Sequence, residues 1–447
     1  MHTLEQLRRG ELAGISRLDL AEDLDAFPPE IFDLADSLEI LNLSGNKLAT
    51  LPDDLPRLRN LRILFCSHNA FTELPKVVGS CSTLQMVGFK ANRIRTLSGE
   101  ALPPQLRWLT LTDNCLEALP DEIGRCSQLQ KLLLAGNQLQ VLPDSLAACR
   151  GLELLRISAN RLKALPDWLL EMPRLSWLAF GGNPFSDEQE EEVLKQHPLS
   201  PVDRAQVQLG EQLGQGASGI IYRAEWQHPT QGKRAVAAKL FKGSLTSDGL
   251  PHSEMAASIA AGSHPSLVSV FGPLANCEDG LPGLLMALIE PSYAALAGPP
   301  SFASCSRDCY APDRRFNAVQ VLRISSAVAA AVAHLHARGI LHGDVYAHNL
   351  LADPDGQSLL SDFGAASFFD PDSALAKSLQ RIEARAFGCL LEELLERCEL
   401  TGTDARLRLL SDLKDCCLQE AVQQRPGFSE VIDAFNRIAA MRTDSAG

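Results

Sequence analysis

The 447-residue chain has no run of eighteen apolar residues, and its start, Met1-His2-Thr3-Leu4-Glu5, lacks the basic-then-apolar order of a signal peptide. Neither a membrane-spanning helix nor a secretory leader is expected. Basic charge is in short supply: 41 Lys and Arg against 55 Asp and Glu leave a formal net charge of −14. That excess of acid argues against nucleic acid or an anionic membrane surface as the main partner. The twelve cysteines lack paired, zinc-like spacing: Cys305 and Cys309 have no second pair, and Cys416-Cys417 are adjacent. They read as reduced thiols that ask for no oxidising compartment. The remainder, 45% hydrophobic and 21% charged, is ordinary globular material of a length for two or three domains, with a cytoplasmic setting expected.

Repetition is the first thing present. Copies of one pattern begin at Ile15, Leu38, Leu61, Leu84, Leu106, Leu129, Leu152 and Leu175, spaced by 23 residues with one step of 22. Each broadly reads L-x-x-L-x-L-x-x-N-x-L, as from Leu129 to Leu139, with a Leu-Pro pair such as Leu142-Pro143 soon after in most copies. Such units bury their apolar faces by stacking. Leucines at the first, fourth and sixth positions point into a shared core, and each short strand adds an edge to a parallel sheet. Asn46, Asn69, Asn92, Asn114, Asn137, Asn160 and Asn183 form a ladder that satisfies backbone groups where each strand turns, a structural role. Cys81, Cys126 and Cys149 fall where Leu58 sits in a neighbouring copy, which places them in the core.

The pattern resembles the leucine-rich repeat family. The resemblance implies an α/β solenoid over residues 1–186 whose concave face recognises partners. Ile40, Ile63, Phe65, Met86, Trp108, Leu133, Leu154 and Trp177 lie between the buried leucines and are expected on that face. An apolar stripe of this extent calls for a protein or peptide contact, or for packing on this chain's own second domain. The acidic run Asp187 to Glu192 then reads as a capping helix within a connector, residues 187–204, broken by Pro198 and Pro201.

The second half centres on His342-Gly343-Asp344-Val345-Tyr346-Ala347-His348-Asn349 and, after a short hairpin, Asp362-Phe363-Gly364. Phosphoryl transfer to a hydroxyl needs a carboxylate near the attacking oxygen and oxygen ligands for Mg²⁺ on the nucleotide phosphates. Asp344 suits the first task. Strands Asn349–Ala352 and Ser358–Ser361, joined by a Pro354-Asp355-Gly356 turn, bring Asp362 back beside Asn349 for the second. Upstream, Gly214-Gln215-Gly216-Ala217-Ser218-Gly219 lies between two strand-like runs, and glycine lets backbone close over phosphates where a side chain would collide. Alone, this stretch equally suits a plain glycine hairpin. Ala235 to Leu240 reads as a buried strand with a single lysine, Lys239, which is costly unless paired. Glu254, on a predicted helix Ser253–Ala261, is its natural partner.

These motifs, in this order over residues 205–440, resemble the protein kinase superfamily. The resemblance implies an α+β two-lobed domain after the solenoid that uses ATP and Mg²⁺. Lys239, held by Glu254, would contact the α and β phosphates. The glycine loop, with Leu213 and Ile221 flanking it, would cover the nucleotide. Met286 would back the adenine, and Ala287 to Ile289, Leu288 among them, would offer backbone hydrogen bonds. Asp344 would be the catalytic carboxylate, and Asn349 and Asp362 the metal ligands.

Several departures from the family pattern cluster together. Gly343 stands where many members carry an arginine that answers a phosphorylated activation loop. Only eighteen residues separate Gly364 from Glu383, no Ala-Pro-Glu motif appears, and Arg425 lacks its usual glutamate partner. Activity without activation-loop phosphorylation is expected, with Ser367, Ser373 and Ser378 dispensable. Tyr346 stands where serine/threonine kinases place a lysine, while tyrosine kinases usually carry an alanine there, or an arginine where this chain has His348. Serine/threonine specificity is favoured. His342-Gly343-Asp344 with Asn349 also resembles phosphotransferases of the aminoglycoside and choline kinase type. The reading is a protein kinase with a repeat domain for partner recognition, with a small-molecule phosphotransferase and a catalytically silent nucleotide-binding scaffold as alternatives.

Overall fold

The computed structural model describes residues 2–196, 199–216, 218–243, 245–277, 282–399 and 404–441. Two compact units emerge: Met1–Arg174 with Asn183–Phe185, and Leu175–Gly182 with Ser186–Gly447. The repeat pattern suggested a division at 186, whereas the eighth copy's strand is grouped with the second unit.

In the first unit, α1 (Leu4–Arg8) starts at a Thr3/Gln6 capping box. Seven three-residue strands follow: β1 (Arg17–Asp19), β2 (Ile40–Asn42), β3 (Ile63–Phe65), β4 (Met86–Gly88), β5 (Trp108–Thr110), β6 (Lys131–Leu133) and β7 (Leu154–Arg156). They pair in parallel, each residue opposite its counterpart in the next copy. The central residue of each strand points inward, and Leu18, Leu41, Leu64, Leu109, Leu132 and Leu155 are fully buried. Asn137 shows how each copy is tied to the next: its Oδ1 accepts from Leu116 N at 3.0 Å, and its Nδ2 donates to Leu111 O and Leu134 O, both at 2.9 Å. After the Leu-Pro pairs, an extended proline opens a short 3₁₀ turn, as at Asp121–Arg125 and Asp144–Ala148. Cys126 and Cys149 close those turns inside the core, where burial pushes their thiols up to about 11 and about 12.

The apolar stripe expected on the concave face is only partly open. Ile40, Phe65, Trp108 and Leu133 are half-buried, whereas Ile63, Met86 and Leu154 are buried. In-register parallel strands set like positions side by side, so neighbouring side chains shield one another. Trp108 also carries Lys131 over its ring, the ammonium 4.5 Å from the centroid.

The second unit begins with β8 (Trp177–Ala179), takes in α2 (Pro184–Gln196) from Ser186 onward, and continues with β9 (Val202–Asp203). Strands β9, β10 (Val207–Gln215), β11 (Gly219–His228), β12 (Gly232–Phe241), β13 (Val270–Ala275) and β14 (Gly283–Ala287) form a sheet ordered β10-β11-β12-β14-β13-β9. Val202, read from sequence as connector, belongs to the core of this sheet with Val207, Trp226, Val236 and Leu285. Helix α3 (Pro251–Ala260) carries Glu254 and starts two residues before the expected Ser253, because Pro251 suits the first helical turn.

A helical lobe follows: β15 (Ala294–Ala295), α4 (Ala318–His336), β16 (Ile340–Leu341), β17 (Leu350–Ala352), β18 (Ser358–Leu360), β19 (Ser367–Phe368), α5 (Ala376–Glu396), α6 (Ala405–Cys417) and α7 (Phe428–Ala440). Among the described residues, α4 is one helix long and apolar enough to cross a membrane, with a mean hydropathy of 1.5. Its Val321, Ile324, Val328, Val332 and Leu335 are buried inside the lobe, which accounts for its composition.

Candidate active site

Sheet register builds the upper wall of a cleft of about 250 Å³. Ile221 lies opposite Lys239, and Lys239 opposite Leu284; Ala237 lies opposite Met286. Alternate residues share a face, so Ile221, Lys239, Phe241, Leu284 and Met286 all line the cleft. Lys239 and Glu254 form a buried ion pair, 9% and 4% exposed, within reach of any phosphate entering there. Burial pushes the Glu254 carboxyl above its usual range and the charge of Asp362 adds to this, while Lys239 and Ser218 act against it.

The lower wall takes His348 and Asn349 from the end of the loop that starts at His342, with Leu351, Ser361, Asp362 and Phe363. Asp344 is not among the lining residues, and the anchor of the loop is Glu383 on α5. The Glu383 carboxylate accepts from Gly343 N at 2.6 Å and His342 N at 3.3 Å, and meets His336 Nε2 at 2.7 Å. Burial alone would raise this carboxyl, but its bond to His336 and the charges of His336 and His342 hold it below the usual range. His342 Nε2 contacts Ser361 O at 3.2 Å, which leaves Nδ1 to accept from Asp344 N at 3.3 Å. Asn349 Nδ2 donates to Asp344 Oδ2 at 2.8 Å and to its carbonyl at 3.0 Å. With its amide hydrogens so directed, Asn349 keeps its side-chain oxygen for a cation. Asp362, exposed and at a φ of 61°, anchors one carboxylate oxygen on Gly364 N at 3.1 Å. Asn349 and Asp362 line the same cleft, and their all-oxygen donor set fits a hard cation such as Mg²⁺.

The cleft brings together Gly216, Ser218, Gly219, Ile221, Lys239, Glu254, Met286, Asn349 and Asp362 of the residues singled out from sequence. Ala217 lies outside the described residues. Leu213, Gly214 and Gln215 are not in the wall, and Leu213 is 44% exposed, because β10 ends at the open edge of the sheet. Ile289 rather than Leu288 lines the cleft, since strand alternation lapses beyond the end of β14 at Ala287.

Two further features escaped the sequence reading. His348 lines the cleft with its backbone N and Nδ1 on the buried Asp308 carboxylate at 3.0 and 2.7 Å. Burial disfavours charge on His348, but Asp308, Asp344 and Asp362 outweigh it and raise its proton affinity. The role of Glu383 was missed as well. An acidic residue at the start of the buried helical run Glu383–Leu394 was the available signal for it.

The side of the loop away from the cleft departs most from expectation. Trp177, expected on a partner-binding face, is 1% exposed. Its indole stacks on Tyr346, with centroids 4.2 Å apart and an angle of 8°, and its Nε1 donates to Val345 O at 3.2 Å. Phe180 N and Gly181 N both donate to Ser367 Oγ, at 2.8 and 3.1 Å. Arg385 on α5 donates to Ser176 Oγ at 2.9 Å. Gly343 adopts a φ of +74°, and a Cβ on it would lie 2.4 Å from Ala365 O and 2.7 Å from Leu178 O. No arginine side chain fits that space. Ser367, read from sequence as dispensable, is fully buried. Arg425 donates to the carbonyls of Gln419 and Arg381 at 2.7 and 3.4 Å, and burial pushes its guanidinium down to about 10.

Residues 207–385 match the model of protein tyrosine and serine/threonine kinases, and residues 37–58 and 127–185 match leucine-rich-repeat models. A probable inactive serine/threonine-protein kinase of Dictyostelium discoideum is 34% identical over 120 residues, 25% of this chain and 4% of its own length. A probable serine/threonine-protein kinase of Streptomyces coelicolor is 25% identical over 212 residues, covering 42% of this chain and 30% of its own. Fibroblast growth factor receptor 1 of Xenopus laevis is 26% identical over 203 residues, 42% of this chain and 24% of its own. The chain thus spans less than a third of the length of each of these relatives.

Proposed function

The chain carries leucine-rich repeats and a protein kinase domain, and from that premise we propose that it is an ATP- and Mg²⁺-dependent kinase of protein serine and threonine hydroxyls. The observation that carries the reading is the conjunction around one cleft: the Lys239–Glu254 pair above, and Asn349 and Asp362 below with Asp344 bonded to Asn349. Lys239 neutralises phosphate charge, and Glu254 holds it in place. Asp344 orients the acceptor hydroxyl and takes its proton, a contribution of about 10²–10⁴-fold. Asn349 and Asp362 present oxygen donors to the metal. When bound, Mg²⁺ offsets the charge of the β and γ phosphates. Gly216, Ser218 and Gly219 close over the nucleotide from β10 and β11.

Serine/threonine specificity is supported by the names of two relatives and by the absence at Tyr346 and His348 of the residues usual in tyrosine kinases. Recognition of a protein partner falls to the half-open repeat residues Ile40, Phe65, Trp108 and Leu133. A cytoplasmic setting belongs to the same proposal, supported by the lack of paired, zinc-like spacing among the twelve cysteines.

The test is γ-phosphate transfer from labelled ATP with Mg²⁺, wild type beside Asp344→Ala, to a generic protein acceptor, to the chain itself and to an aminoglycoside panel. Label on protein seryl or threonyl residues that vanishes with Asp344→Ala is the expected result. Label on the small molecules alone, or nucleotide binding without transfer, overturns it.

A further inference from the structure

Only eleven residues, 365–375, connect Gly364 to the start of α5, too few to form a long activation segment along the catalytic loop. The face such a segment would cover is nonetheless not bare. Four contacts come to it from one stretch far upstream: the Trp177 stack on Tyr346, the Trp177 bond to Val345 O, the paired N–H groups of Phe180 and Gly181 on Ser367 Oγ, and Ser176 on Arg385. The carbonyl of Leu178 packs so close to Gly343 that only glycine is compatible with it.

We infer that Leu175–Gly182, the strand of the eighth repeat copy, serves this kinase domain as its activation segment, with Trp177 as the positioning residue that holds the Asp344 loop in register. The inference rests on reading that loop as catalytic. Where phosphorylation orders the loop in kinases with long activation segments, a charge must be added and an arginine must answer it. Here the same stretch of backbone is held by a buried aromatic stack and by the Trp177 hydrogen bond to the Val345 carbonyl, neither of which depends on a modification. Gly343 and the short connection belong to one arrangement: an arginine at 343 would expel the strand that replaces the missing segment. Trp177 is not among the residues that line the cleft. It acts through Val345 and Tyr346, which flank Asp344 on its C-terminal side.

The experiment uses the full chain as wild type, Trp177→Ala, Trp177→Phe and Ser367→Ala. Amide hydrogen exchange across His342–Asn349 is measured beside ATP affinity, kcat and KM. With Trp177→Ala, exchange at Val345 to Ala347 should quicken at least about tenfold, while the amides of β11 and β12 and the ATP affinity stay within about twofold of wild type. Loss of register should lower kcat by about tenfold to a hundredfold with little change in the KM for ATP. Trp177→Phe, which keeps the stack, should recover most of both. Ser367→Ala should show the same pattern more weakly, and it carries the test if Trp177→Ala does not fold. Unchanged loop exchange in a folded variant overturns the inference. So does a rise in kcat, which would mark the strand as an inhibitory cover. If the wild type transfers no phosphate, the kinase reading fails, while the exchange measurement still decides whether the strand holds the loop.

Discussion

The two sides of the Asp344 loop are built from different distances along the chain. On the nucleotide side, Ile221, Lys239 and Leu284 meet through neighbouring strands, and Glu254 follows Lys239 by fifteen residues. On the other side, Val345 meets a residue 168 positions away, and Ser367 one 187 positions away. Short separations thus build the cleft wall, while the support on the other side of the loop comes from a different part of the chain. The difference teaches that a short connection after Gly364 does not leave the loop unsupported. It moves the support to a segment that carries no kinase signature.

The largest expected effect breaks the chemistry the two sides share. Asp344→Asn should lower phosphate transfer by about 10²–10⁴-fold while ATP affinity holds within about twofold, measured by single-turnover transfer and nucleotide titration. Gly343→Arg, which restores the residue many kinases carry, attacks only the acceptor side. It should cost roughly 3 kcal/mol in urea unfolding from strained φ and overpacking against Leu178 O and Ala365 O; a neutral outcome would mean that the strand yields easily.

Glu383→Gln separates the anchor from both walls. Its charge-assisted bonds to the loop are worth about 2 kcal/mol near neutral pH. Because the folded-state carboxyl is held below its ordinary value of 4.5, this contribution is present above that value and fades as pH falls through the lowered one. The stability curves of wild type and Glu383→Gln should therefore converge in acid, and parallel curves would assign the loss to packing instead. The smallest effect lies in the repeats, where Trp108→Leu removes the Lys131 cation–π contact for about 0.5–1 kcal/mol. It serves as a control that the larger losses are specific to the loop.

Much of the cleft wall was legible because its signals are local. Lysine in an apolar strand demands a counter-charge, and a turn between Ala352 and Ser358 returns Asp362 toward Asn349. Repeat leucines, asparagines and cysteines were legible for a similar reason: each position is set by its counterpart in the next copy, so the register follows from spacing alone. Leu213, Gly214 and Gln215 were over-read, since glycine reveals where backbone can bend and not which residues end up facing the cleft. Trp177 was left between two readings because an aromatic at a repeat's outward position has the same pattern whether a partner or this chain covers it. Asp308 escaped notice, as a lone acid in an irregular stretch gives no sign that it will hold His348.

Composition and spacing dictated the stacked repeats, the two-lobed domain and the residues that meet around the cleft, because helix and strand periods and paired charges act over short separations. Which strand covers Tyr346, why residue 343 must be glycine and why Ser367 is buried were decided only by the folded chain. Those outcomes depend on backbone atoms brought together across more than 160 residues, and no local pattern encodes such a contact.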